Sequence, residues 1–173
     1  MFLKIAGSLL ILIAGTCLGF KLASNFSERL RQIRQLLSCF VALKSQISYM
    51  SCPINEALFN CTNGLDGPVA DLFRKTSGIL TEKSWLTPQE ALILAFKEKQ
   101  ENLVLLKTEV EILEILFANL GASDRQDQEK ALEMAEFQLI QVQKDAELSS
   151  SKNIKMYRYL GVCVSLAIII LLI

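Results

Sequence analysis

The sequence predicts an all-α protein: a compact bundle of about six helices flanked by N- and C-terminal transmembrane helices. Three observations carry that reading. The chain begins and ends in uncharged apolar runs, Ile5–Phe20 and Tyr159–Ile173. Between them, apolar residues recur every three or four positions, the period of a helix face, and no stretch alternates in twos as a half-buried strand would. The breaks between periodic stretches carry helix punctuation at Pro53, Asn63-Gly64, Thr87-Pro88 and Gly121.

Each end run is slightly shorter than the roughly 20 apolar residues that cross a hydrocarbon core of about 30 Å. Phe2 and Leu3 extend the first, and Lys4 can snorkel to the headgroups. Tyr157 and Tyr159 suit the interface before the second. A cleaved signal peptide is the alternative for the first run. Against it, no good small-residue cleavage pattern follows, and Thr16 precedes Cys17 where a lipoprotein site would want Gly or Ala. A buried core helix is the alternative for the second; "IIILLI" close after Arg158 argues for a span. The expected organisation is a transmembrane helix over 1–20, a helical bundle over 21–158 and a transmembrane helix over 159–173.

The flanking bases orient it. Lys21, Arg29, Arg31 and Arg34 follow the first run, and Lys144, Lys152, Lys155 and Arg158 precede the second. Only Lys4 lies outside. Positive charge stays on the cytoplasmic side, so both spans predict a cytoplasmic body at the cell membrane.

The body's elements follow in order. Leu22, Phe26, Leu30, Ile33, Leu37, Phe40, Lys44 and Ile47 form one stripe that continues the first run to about Met50. Pro53 stops it and starts a short helix with Ile54, Ala57, Leu58 and Cys61 inward; Asn63-Gly64 ends that one. A short helix follows over roughly 68–77, closed by Gly78. Thr87, Pro88 and Glu90 form a capping box for a helix with Ala91, Leu92, Ala95 and Phe96 inward. Thr108 with Glu111 repeats the device ahead of Val110, Leu113, Leu116, Phe117 and Leu120.

The segment "LGASDRQDQ" (residues 120–128) then reads as a joint between two helices. Leu120, Gly121 and Ser123 are its joint motif: Gly121 stops one helix and Ser123 caps the next, with Gln126 as box partner. Asp124 and Asp127 sit in the new first turn, where the helix dipole favours anions. The last helix carries Leu132, Ala135, Leu139, Val142, Ala146 and Ser149 as a seam, with no break required before the second span.

The formal net charge is zero, but its distribution is uneven. Residues 45–143 hold eight bases against fifteen acids, whereas the stretches next to the apolar runs are basic. Basic roots suit an anionic leaflet, so membrane lipids are expected partners. The acidic distal part argues against nucleic acid and suits a basic protein partner; an aid to solubility is the plainer reading. Of five cysteines, Cys17 and Cys163 fall in the apolar runs, and Cys39, Cys52 and Cys61 show no framework of spacings. Free thiols are expected.

Chemistry is sparse. The chain has no histidine, which removes a Ser-His-Asp triad, a Cys-His pair and an imidazole metal site. No phosphate-binding glycine motif occurs. Glu109, Glu111 and Glu114 read as a solvated face, not an acid/base pair. Trp85 reads as core or loop packing, with an interface anchor as the alternative. No enzyme activity, cofactor or metal is expected.

The chain resembles the stage III sporulation protein AB family of endospore-forming bacteria over nearly its full length. The resemblance rests on the first span ending in "GF", on "RLRQIRQLLSCFVALKSQISYMSCPINEAL", on "LGASDRQDQ" and on "KMYRYLGVCVSLAIIILLI". The pattern L-G-x-x-D-x-x-x-Q falls on Leu120, Gly121, Asp124 and Gln128. It implies a scaffold subunit of a secretion-like channel between mother cell and forespore. Its helical domain would resemble the cytoplasmic domain of the type II secretion F-protein. The implied partners are other channel proteins and a cytoplasmic ATPase. Asp124, Asp127 and Gln128 share one helical face and are the candidate partner-binding residues; capping and packing is the reading to set beside it. A membrane-tethered adaptor or signal-relay protein is the competing function. The small residues Gly7, Ala14, Gly15, Gly19 and Gly161 permit close helix contact and leave a homo-oligomer open.

Overall fold

The structure is a computed structural model that describes the backbone of residues 2–50, 52–121 and 124–172, and side chains chiefly between 24 and 150. Six α-helices follow in order: α1 Phe2–Met50, α2 Ile54–Asn60, α3 Pro68–Glu82, α4 Pro88–Lys99, α5 Lys107–Asn119 and α6 Arg125–Leu172. A 3₁₀ turn, Gln100–Asn102, extends α4. No strand occurs among the described residues. Among them, also, no helix is long and apolar enough to cross a membrane; the side chains of the spans expected at 1–20 and 159–173 lie largely outside them.

The chain divides into two units, Met1–Leu30 with Asp145–Ile173, and Arg31–Lys144. In the first, Ser24 donates its hydroxyl to the Lys21 carbonyl at 2.8 Å. Among the described residues its buried side chains are Ala146 and Ser150. They lie four residues apart and so on one helix side. The expected seam therefore continues to Ser150, not to the exposed Ser149.

The second unit holds the core. Helix α1 buries Ile33, Leu36, Cys39, Phe40, Leu43 and Ile47. The apolar stripe read from the sequence is right at Ile33, Phe40 and Ile47. It is offset at Leu37 and Lys44, which are only half-buried, because Leu36 and Leu43 take the inward positions. Leu132, Ala135 and Leu139 of α6 are buried as expected. The Lys44 ammonium meets the Glu133 carboxylate at 2.7 Å and ties α1 to α6. Phe73 of α3 and Phe117 of α5 meet edge to face, with centroids 5.7 Å apart. Such a pair adds about 0.5–1.5 kcal/mol beyond the area it buries.

Three boundaries differ from the sequence reading. Gly78 does not close α3, which runs on to Glu82. A glycine inside a helix costs about 1 kcal/mol against alanine, and the packing of Ile79 outweighs it. Helix α5 starts at Lys107, so Thr108 is not its cap. Instead the Leu106 N–H donates to the Glu109 carboxylate at 2.9 Å. Glu109 is buried, not solvated as expected, while Glu111 is exposed. The third boundary, the start of α6, belongs to the joint described below. The capping box at α4 stands as read: the Glu90 N–H donates to the Thr87 hydroxyl at 3.3 Å, and the Thr87 N–H to Glu90 Oε2 at 2.9 Å.

Two buried or half-buried side chains fix the loops, and the sequence signalled neither. Gln32 of α1 is fully buried. Its amide nitrogen donates to the Asn102 carbonyl at 3.1 Å, and its amide oxygen accepts the Val104 N–H at 2.9 Å. It therefore stitches the α4–α5 connection to α1. Arg74 donates to the Thr62 hydroxyl at 3.1 Å and to the Leu65 carbonyl at 2.7 Å. That holds the α2–α3 turn against α3.

Candidate interaction surface

The joint after α5 is built from two unlike halves. Leu120 is buried, and its N–H donates to the Leu116 carbonyl at 3.1 Å. Gly121 turns the chain at φ +81°, a left-handed conformation that glycine adopts without penalty. A Cβ there would meet the Ile54 side chain at 3.0 Å and the Pro88 ring at 3.6 Å. So this half packs against the starts of α2 and α4, for reasons of both conformation and space.

The second half is polar. Helix α6 begins at Arg125, and Asp124 is its cap. The Asp124 carboxylate accepts the Asp127 N–H at 2.9 Å, and its carbonyl accepts the Gln128 N–H at 3.0 Å. The cap expected at Ser123 thus belongs to Asp124; Ser123 itself lies outside the described residues. Asp127 sits in the first turn as read, and Lys130 donates to it at 3.4 Å. Asp124 and Asp127 are exposed, and Gln128 is half-buried. Of the three candidate residues, Asp124 is committed through one oxygen to the helix start, which is the capping reading. Both carboxylates still face solvent, three residues apart.

Beside the joint runs a furrow that the sequence reading missed. One groove of about 390 Å³ is lined by Ile54, Leu80, Leu86, Pro88 and Gly121, among others. A second, of about 610 Å³, lies between α2 and α3. They meet at Asn55 and Thr81, which line both. The Asn55 amide there donates to the Thr81 hydroxyl at 3.4 Å. Trp85 lies on the α3–α4 loop and is 76% exposed, which corrects the expectation of core packing. Trp85 lines neither groove; Gly78, read from the sequence as a helix stop, lines the second.

The described cysteines form no site. Cys39 and Cys61 are free and buried. The neighbouring Cys39 thiol, then burial, pushes the Cys61 thiol far above its ordinary range. Such a thiol is inert at neutral pH. Cys52 is also shifted up, by desolvation and then by the Glu56 carboxylate. No group of three or more potential metal ligands occurs among the described residues.

The fold is all-helical among the described residues, and the comparisons with known proteins place the chain with the stage III sporulation proteins. The stage III sporulation protein AB family profile matches residues 4–173. The chain is 35% identical over 170 residues to stage III sporulation protein AB of Bacillus subtilis (strain 168), covering 98% of this chain and 99% of that protein. A solved structure of stage III sporulation protein AB (SpoIIIAB) superposes with a TM-score of 0.66 at 32% identity, covering 72% of this chain and 97% of the other. The chain belongs to the stage III sporulation protein AB family.

Proposed function

We propose that the protein is a non-enzymatic, membrane-anchored platform subunit of a secretion-like channel between mother cell and forespore. Its helical body lies in the mother-cell cytoplasm. Its partners are other channel proteins and a cytoplasmic ATPase, which it contacts through the α5–α6 joint. The observation that carries this reading is one of placement. Uncharged apolar runs occupy the outer ends of α1 and α6, and a helical body, acid-rich over 45–143, lies between them in sequence. Such a body holds a position at the membrane and offers a charged surface to partners. The exposed carboxylates of Asp124 and Asp127 support the joint as that surface.

The test is a deletion strain scored for heat-resistant spores. Normal vegetative growth with arrest after engulfment is expected. Wild-type spore numbers would reject the platform reading.

A further inference from the structure

Gly78 lies in the last third of α3, at a position where glycine weakens a helix relative to alanine. A Cβ built on it meets nothing within 4 Å. No neighbour in this chain therefore requires the missing methyl. The bare backbone faces the α2–α3 groove, which it lines together with Phe59, Glu56, Asn60, Ser77 and Glu82. Phe59 is 52% exposed. An aromatic ring left half in water beside an open stretch of helix backbone is a seat for an apolar side chain.

Charge chooses the occupant. Glu56 and Glu82 are exposed on the groove. Arg74 is the only base among its lining residues. Its guanidinium is engaged by the Thr62 and Leu65 carbonyls, and it lies 3.5 Å from the Asp71 carboxylate. The groove thus presents negative charge around an apolar centre. Anionic lipid headgroups are repelled by such a rim. The acid-rich stretch 45–143 of a second copy, with eight bases against fifteen acids, would bring like charge to like.

We propose that the α2–α3 groove docks a basic amphipathic helix of a partner protein. Its apolar face lies on Phe59 and against the Gly78 backbone, and its lysines or arginines face Glu56 and Glu82. Recognition by charge sets the partner and the encounter rate, and the apolar seat holds the complex. The inference rests on the reading that the body works by contact, but concerns a different surface from the joint.

The test places a photoreactive benzoylphenylalanine at Asn60 of the full-length chain in sporulating cells and maps the cross-linked peptide by mass spectrometry. The expected product is a single partner protein, joined through a lysine- or arginine-rich helical segment. Gly78→Leu puts a side chain into the groove from a Cβ that meets nothing within 4 Å, and favours the helix. It should lower the cross-link at least tenfold while the melting temperature stays level or rises. Glu56→Lys with Glu82→Lys should lower it as far, by charge alone, and so covers the case in which Gly78→Leu misfolds. Cross-linking to lipid, to a second copy or to an acidic segment overturns the proposal. So does an absent product, or a yield that neither variant changes. The deletion phenotype is read separately, so the platform reading can fail while the groove stands, and the reverse.

Discussion

Single side chains decide where this fold's loops go. Gln32 looks from the sequence like any polar residue on a long helix, yet it is fully buried and meets two backbone groups some seventy residues away. Burying an amide is tolerable only when its donors and acceptors are met. Gln32→Leu keeps the volume and strands the Val104 N–H. A loss of about 1–3 kcal/mol is expected in denaturant melts, with faster amide exchange over 102–106. Unchanged exchange there would show that the stitch does not hold the loop. Glu90 was legible, because a capping box has a four-residue signature. Its carboxylate accepts the Thr87 N–H and then the Thr87 hydroxyl, which hold its pKa below the usual value. A depressed folded pKa gives stability that is present above the unfolded pKa of about 4.3 and is lost as pH falls through the folded one. The melting-temperature gap between the protein and Glu90→Gln should be full above about pH 5 and shrink as pH falls below about 4.3. A gap independent of pH would contradict this.

At the scale of elements, periodicity gave the helices and capping chemistry gave most of their starts. It failed where two caps competed. Thr108 with Glu111 has the spacing of a box, but Glu109 reaches back to the Leu106 N–H two positions earlier and is buried there. Burial outranks local spacing. Gly78 failed for the opposite reason: a stop signal sits inside a helix whose later residues, Ile79 above all, are packed. At the joint the sequence placed a cap at Ser123, and the structure assigns it to Asp124. The α2–α3 groove was not legible because it depends on which faces of two helices stay apart. For α6 the expected outcome is graded. Asp124→Ala should cost about 1 kcal/mol, the ordinary value of a lost cap. Asp124→Asn keeps the cap and should melt like the parent. If the joint is a contact surface, Asp124→Asn with Asp127→Asn still loses co-purification with channel proteins. Binding that survives in this variant would leave capping as the motif's whole role.

The whole molecule poses one physical question: where the helical body stands. Its bases cluster beside the apolar ends, and that asymmetry is a statement about topology that no helix packing could supply. Membership of the stage III sporulation protein AB family fixes when such a protein acts; charge and hydropathy argue for where. The direct measurement is labelling of a single exposed thiol. The five cysteines are replaced by alanine and Ser45, exposed on α1, becomes the probe through Ser45→Cys. Intact cells producing the full-length chain are treated with a membrane-impermeant maleimide, before and after permeabilisation. The account predicts no labelling until the membrane is opened. Equal labelling of intact cells would place the body outside and contradict it.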